Sequence, residues 1–284
     1  MKLIISLLLI TMTCFESFSQ NKDLIHLWPG IVPGESKEKI ASVTAASEND
    51  NIIRIAEVTD PVMQAFLPEH SEKNGASVIV CPGGGYHILA WDLEGTEVAA
   101  WLNKNGFAAF VLQYRVPDKK AGALQDVQRA IRIIRKDAAK YGVDPEKIGV
   151  MGFSAGGSLT ARASTLFNKQ SYSPVDIADS LSCRPSFSML IYPAYLDQGP
   201  EFSLTPELKL SGDVPPIFIF QTSDDQHGNS AIVMAQSLRN ARLSVELHLL
   251  PVGGHGYGVR PGNLAAETWP ALAEKWLKHT LKIN

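Results

Sequence analysis

Apolar positions along the chain fall into two alternating textures. Ser77–Cys81, Ala108–Tyr114, Ile148–Met151, Ser186–Ile191, Ile217–Gln221 and Ser244–Leu250 are near-continuous apolar runs of strand length. Strands covered on both faces read this way, as in a parallel sheet held between helix layers. Between the runs lie segments with helical spacing: Gly95–Asn103, Gly122–Tyr141, Ala155–Phe167, Asn229–Asn240 and Leu264–Leu281. In the second of these, Leu124, Val127, Ala130, Ile131, Ile134 and Ala138 recur at i, i+3, i+4, while Arg129, Arg132, Arg135 and Lys136 fall largely off that stripe. Ile52–Val58 and Val62–Leu67 half-alternate and predict a pair of outer antiparallel strands, and residues 24–50, with turns at Trp28-Pro29-Gly30 and Pro33-Gly34, predict irregular chain. Together these elements predict a three-layer α/β fold over residues 20–284, a single domain whose mostly parallel open sheet carries helices on both faces. Ligands bind such sheets at the carboxyl ends of the strands, so the chemistry should sit on loops that directly follow strands.

The first residues have a different texture. Lys2 precedes the apolar run Leu3–Ile10, and Ser19-Gln20-Asn21-Lys22-Asp23 ends it. A run this short falls below the roughly 20 residues a bilayer-spanning helix needs and reads as a secretory signal over residues 1–19, cleaved near Ser19. The competing reading is a lipoprotein signal ending at Cys14, for which Met12-Thr13 is a poor match. The expected location is secreted or periplasmic, with no integral membrane span. Three cysteines cannot build a disulfide scaffold in a chain of 284 residues. Cys81 and Cys183 would remain after cleavage, as a pair or as two buried thiols. A hydrophobic fraction of 45% excludes a disordered chain, and a net charge of −3 gives no electrostatic footprint for nucleic acid. No Cys, His and Glu cluster has ligand spacing, so neither a metal nor an organic cofactor is expected.

Gly152-Phe153-Ser154-Ala155-Gly156-Gly157 lies between a strand and a helix. Gly-x-Ser-x-Gly in that context is a nucleophile elbow: the serine sits on a strained turn, and a side chain two residues to either side would collide with its surroundings. The hydroxyl is then exposed at a helix N-terminus, where free N–H groups favour developing negative charge. A phosphate-binding turn is the bland alternative, but the lysine of a P-loop is absent. Pro82-Gly83-Gly84-Gly85-Tyr86 follows the strand before, and its glycines leave backbone N–H groups uncovered, as an oxyanion-binding loop must. The serine needs a histidine base and an acid that orients it. Of seven histidines, His255 in Gly253-Gly254-His255-Gly256-Tyr257 follows a strand, whereas His26, His70 and His279 read as surface positions and His248 as packed or paired within a strand. His87 follows the glycine loop. His227 lies too near the acid in sequence to act as its base. The order serine, acid, histidine along the chain selects His255 and puts the acid at Asp224 or Asp225, of which only one can point at the imidazole.

With these motifs in place the chain resembles the α/β-hydrolase superfamily, and within it the secreted bacterial acetylxylan esterase-like group related to the hormone-sensitive-lipase type esterases. Leu27-Trp28-Pro29-Gly30, Pro82-Gly83-Gly84-Gly85-Tyr86, Asp92-x-Glu94-Gly95, Phe110-Val111-Leu112-x-Tyr114-Arg115 and Gly253-Gly254-His255-Gly256-Tyr257-Gly258 carry the resemblance, together with the elbow and Ser223-Asp224-Asp225. The resemblance implies a minimal cap, hydrolysis of short-chain, chiefly acetyl, carboxylic esters of small molecules or polysaccharides such as xylan, and an oxyanion hole at Gly84, Gly85 and Ala155. Aligned with the family's His-Gly-x-x-Asp pattern, the acid falls at Asp225 and Gln221 stands where many hydrolases carry His. The expected triad is therefore Ser154, Asp225 and His255. Tyr86, Tyr257 and Arg260 flank the catalytic loops and are expected to line the substrate site, each with packing as the alternative. Arg115 and Asp126 would pair structurally, and Asp92 would cap a helix or face the cleft. A lipase-like general carboxylesterase and a small serine peptidase are the rival activities, and a binding protein without catalysis is a rival of another class. A peptidase usually adds a gating domain, a lipase an apolar lid, and a dead homologue should lose a triad member. None of these features is visible in the sequence.

Overall fold

A computed structural model describes residues 24–46 and 50–283. The expected signal over residues 1–19, with Cys14 and the cleavage site near Ser19, lies outside the described residues. The strands are β1 (Leu24–His26), β2 (Val43–Ala46), β3 (Ile53–Ala56), β4 (Val62–Phe66), β5 (Ser77–Cys81), β6 (Leu89–Ala90), β7 (Ala108–Gln113), β8 (Ile148–Phe153), β9 (Phe187–Ile191), β10 (Ile217–Thr222) and β11 (Val245–Leu250). The helices are α1 (Glu97–Lys104), α2 (Lys120–Lys136), α3 (Ala138–Tyr141), α4 (Ala155–Thr165), α5 (Gly228–Asn240) and α6 (Leu264–Leu281). Eight strands form one sheet in the order β1-β4-β7-β5-β8-β9-β10-β11, parallel from β7 to β11 and antiparallel at β1 and β4. The predicted α/β architecture is the one observed.

Alternation along the central strands divides the interior into two faces. Val78 and Val80 of β5 and Ala109 and Val111 of β7 pack with Val98, Leu102, Trp269 and Trp276 of α1 and α6. Ile79, Cys81, Phe110 and Leu112 point the other way, toward Leu124, Val127 and Ile131 of α2 and Leu159 of α4. Further along, Leu190, Ile217 and Ile219 pack with Ala231, Met234 and Leu238 of α5. Cys81 and Cys183 are free buried thiols, and burial pushes both above the usual thiol range.

Four local expectations need correction. Segments 52–58 and 62–67 do not pair with each other. Strand β4 joins the main sheet between β1 and β7, while β3 joins β2 and β6 in a separate small sheet. The segment 24–50, expected to be irregular, supplies both β1 and β2. Strand β11 is the sheet edge and leaves Glu246, Leu247 and Leu249 exposed. Its apolar run is therefore not covered on both faces, because among the described residues no further strand pairs with it. Finally, the helix predicted over 122–141 breaks at Asp137, whose non-helical backbone separates α2 from α3.

A polar cluster pins α2 to the sheet. Asp126 accepts from Trp28 Nε1 at 2.9 Å, from the Arg115 backbone N–H at 3.0 Å and from Arg115 Nε at 2.9 Å, all buried. The expected Arg115–Asp126 pair thus exists and also captures Trp28 of the N-terminal segment. Arg129, off the apolar stripe, is buried as well: its guanidinium reaches Asp176 and Asp179 and its Nε donates to the Leu27 carbonyl at 3.0 Å. Removing one member of a buried pair strands the other charge. Asp126→Ala is expected to lower unfolding stability by about 3–5 kcal/mol, read from chemical denaturation followed by tryptophan fluorescence.

Candidate active site

Every expected catalytic group follows the carboxyl end of a strand in the main sheet. The glycine loop follows β5, Ser154 follows β8, Asp224 and Asp225 follow β10, and the histidine loop follows β11. Ser154 has φ 51° and ψ −117°, a left-handed conformation that L residues rarely adopt. Its neighbours make the turn possible only as glycines. A Cβ on Gly152 would lie 2.0 Å from the Gly156 carbonyl oxygen, and one on Gly156 would lie 2.0 Å from the Cys81 carbonyl oxygen.

Ser154 Oγ lies 2.7 Å from His255 Nε2, and His255 Nδ1 lies 2.6 Å from Asp225 Oδ2. The second Asp225 oxygen accepts the His227 backbone N–H at 2.8 Å. Asp224 turns away and accepts from the backbone N–H groups of Gly253 and Gly254 at 3.1 and 2.9 Å, which hold its carboxyl below the usual range. The two adjacent carboxylates therefore have separate tasks: Asp225 orients the imidazole, and Asp224 shapes the loop that carries it. The Gly83 N–H is taken by Glu94 Oε2 at 2.7 Å. The N–H groups of Gly84, Gly85 and Ala155 are engaged by no backbone acceptor among the described residues.

Ser154, His255, Gly84 and Gly85 open into a cleft of about 320 Å³. Ile52 just before β3 and Arg54 within it, with Ile88 and Leu93, form one side, and Tyr195 and His227 form the other. The small sheet and the segments after β9 and β10 thus contribute wall residues that the sequence does not predict. His227 lies with its ring 5.0 Å from His255 and 5.5 Å from Tyr195; burial, then the neighbouring imidazole, lowers its pKa and keeps it neutral. The signal for Tyr195 and His227 was available, because both lie on loops that follow parallel strands.

The three expected lining residues lie elsewhere. Tyr86 is 1% exposed and packs against Tyr114, with its hydroxyl pushed up to about 12 by burial. Tyr257 is 6% exposed and packs edge-on against Tyr192 beneath the histidine loop. Arg260 is held by Glu97 and Asp92 at 2.8 and 3.0 Å and by the Asn51 carbonyl at 2.9 Å, so its charge is spent on fastening loops. Asp92 also accepts the Ile53 N–H at 2.8 Å, and it is neither a helix cap nor a cleft residue. His87 is exposed at the rim beside Asp118, and His248 pairs with Glu246. Among the described residues no group of three or more His, Cys, Asp or Glu is placed to hold a metal ion, and no helix is long and apolar enough to cross a membrane.

The chain is similar to several known proteins. The BD-FAE family model matches residues 63–182. An acetylxylan esterase from Xylanibacter ruminicola is 33% identical over 222 residues, covering 69% of this chain and 43% of that protein. Endo-1,4-beta-xylanase B from Butyrivibrio fibrisolvens is 31% identical over 227 residues, covering 70% of this chain and 35% of that protein. The alignments thus span less than half of these two longer relatives. The crystal structure of an acetyl ester-xyloside bifunctional hydrolase from Caldicellulosiruptor lactoaceticus superposes with a TM-score of 0.76 at 30% identity, over 93% of this chain and 98% of that one.

The geometry separates the two carboxylates sharply. Asp225→Asn should lower kcat by about 10³–10⁴-fold by favouring the wrong imidazole tautomer, while Asp224→Asn should stay within about tenfold of wild type. Steady-state kinetics on p-nitrophenyl acetate checks both. The reverse ranking would move the orienting role to Asp224.

Proposed function

The chain belongs to the acetylxylan esterase-like α/β hydrolases, and from that membership we propose that it is a serine esterase that removes short acyl groups, acetyl first, from xylan-type saccharides. The observation that carries the proposal is the Ser154–His255–Asp225 relay, with contacts of 2.7 and 2.6 Å at the mouth of an open cleft.

His255 takes the Ser154 proton as Oγ attacks the ester carbonyl, and the N–H groups of Gly84, Gly85 and Ala155 receive the oxyanion. The imidazolium is stabilised by Asp225 and then protonates the leaving alcohol. Water repeats the sequence on the acyl-enzyme, freeing the acid and restoring Ser154. A hydroxyl at the tip of a turn contributes little to packing. Ser154→Ala is accordingly expected to keep the fold while kcat falls by at least about 10³-fold; activity within tenfold of wild type would remove the triad from the mechanism.

The cleft also bears on acyl length. The segment between β9 and β10 covers about 25 residues, too few for a helical lid, and holds only a single 3₁₀ turn at Pro200–Phe202. Ile52, Ile88 and Leu93 offer a short apolar wall rather than an enclosed tunnel. Full burial of each added methylene would contribute about 0.8 kcal/mol, nearly fourfold in kcat/KM. A bulky alcohol side, such as a sugar chain, can reach Ser154 without threading a channel. On p-nitrophenyl esters from acetate to octanoate, kept below micelle-forming concentrations, kcat/KM should favour acetate or equal butyrate and fall by octanoate. A steady rise with length would favour the lipase-like reading, and faster cleavage of a peptide anilide than of acetate esters would favour the peptidase.

The location we propose is secreted or periplasmic. The cationic start and the apolar run Leu3–Ile10 support export with cleavage near Ser19. N-terminal sequencing of the exported protein should then begin near Gln20, whereas a lipid-modified Cys14 at the start would establish an anchored form.

A further inference from the structure

Glu94 is a buried carboxyl that the acyl-transfer steps do not use. It is 3% exposed and forms no ion pair with Lys or Arg among the described residues. Burial raises its pKa, against two donated hydrogen bonds and the His255 imidazole. Leaving such a group inside a protein is costly unless both oxygens are engaged. Here each oxygen holds a different loop. Oε2 accepts the Gly83 N–H at 2.7 Å, and Oε1 accepts the Tyr192 hydroxyl at 2.8 Å. That hydroxyl in turn accepts the Gly258 N–H at 3.0 Å, three residues beyond His255.

Local backbone explains why the carboxyl points inward. Residues 92–96 form a single π-helical turn, in which the Thr96 N–H donates to the Trp91 carbonyl at 2.9 Å, and its wider circuit rotates Glu94 toward the cleft floor. Packing leaves no slack around the link. A Cβ on Gly83 would lie 2.6 Å from Glu94 Oε2 and 2.8 Å from Ser154 Cβ, and one on Gly258 would lie 2.6 Å from the Leu93 carbonyl oxygen. The Tyr192 ring sits edge-on to His255 with centroids 5.1 Å apart. A shift at Glu94 therefore moves the Gly84 and Gly85 donors relative to Ser154 and releases the histidine loop together with them.

We propose that Glu94 and Tyr192 are positioning residues that lock the oxyanion loop and the histidine loop into one reactive register. The inference rests on the esterase reading for its activity assay but has a second readout that needs no ester turnover. In the reaction of a fluorophosphonate probe, the Ser154 Oγ–P bond forms, the P–F bond breaks, fluoride leaves and the serine proton passes to His255. The oxyanion loop holds the phosphoryl oxygen during that step.

Glu94→Gln and Tyr192→Phe preserve volume, and each is expected to slow labelling about tenfold and to lower kcat on p-nitrophenyl acetate by a similar factor, with KM within about threefold. Because both changes break the same link, the double variant should be no more than about twofold slower than the slower single variant. Labelling and kcat within twofold of wild type in both single variants, losses that multiply in the double variant, or a change confined to KM would each overturn the proposal. Should wild type label rapidly but hydrolyse no ester, the esterase reading fails while the labelling rates still decide this one. Thermal unfolding of each variant alongside wild type separates a displaced loop from a protein that no longer folds.

Discussion

A single residue in a left-handed backbone conformation organises the site. Ser154 at φ 51° carries strain of order 1–3 kcal/mol, and it persists because the structure on both sides over-determines it. Strand β8 lies between β5 and β9 and enters the turn with every residue buried, and α4 leaves the turn with its first residues packed against Cys81, Pro82 and Pro193. The close approaches at Gly152 and Gly156 are the local cost of bringing the helix this near the sheet. In return, the hydroxyl projects above the centre of the sheet, where loops from β5, β9, β10 and β11 can all reach it. The parallel order of those strands places their carboxyl ends on one edge, so the register of the sheet is also the register of the catalytic groups.

Around that fixed point the ionic groups divide by burial. Arg115–Asp126 and Arg129 with Asp176 and Asp179 lie behind the sheet, where they fasten the N-terminal segment and the 176–180 turn to α2. Arg260, Glu97 and Asp92 make a more exposed clasp that joins the histidine loop to α1 and to β3 of the small sheet. The clasp and the Glu94–Tyr192 link reach the same side of the histidine loop two residues apart, at Arg260 and Gly258. Within the cleft Arg54 and Glu94 join His227 and His255 in the lining, and Asp225 is shielded beneath the imidazole.

What was legible in the sequence was what has a local signature. The central strands announced themselves as two-faced apolar runs, and α6 was read with its observed limits of Leu264 and Leu281. Ser154 and His255 followed from strand–turn–helix context and chain order, which left the acid at Asp224 or Asp225 until the family resemblance pointed to Asp225. The misreadings share a different cause. Strand β11 is as apolar as its neighbours, and only the absence of a further partner makes it an edge. Segments 52–58 and 62–67 carry alternation that names a strand but not its mate, and their mates are set by long-range packing. Tyr86, Tyr257 and Arg260 sit beside catalytic residues in sequence, yet the positive φ of 65° at Tyr86 turns its ring inward toward Tyr114, and the neighbouring acids claim Arg260. Adjacency along a loop does not determine which way a side chain faces.

The cleft walls show the same principle in a constructive form. With only a short segment between β9 and β10, no inserted cap supplies the residues that flank Ser154, and the chain recruits pieces of the core fold instead. Tyr195 comes from that segment at a φ of 61°, held by Thr205 Oγ1 donating to its carbonyl at 3.0 Å. Asp197 and Ser230, bonded at 2.8 Å, then tie the segment to α5. On the opposite side, β3 is fixed through Ile53 to Asp92 and through β6 to the oxyanion loop, since the Ala90 N–H donates to the Gly83 carbonyl at 2.9 Å. Both walls are therefore anchored to the same loops that carry the chemistry. A substrate that presses on either wall meets the oxyanion loop or the acid loop directly. Among the described residues no lid covers Ser154, and a few hydrogen bonds tie the cleft walls to the loops around it.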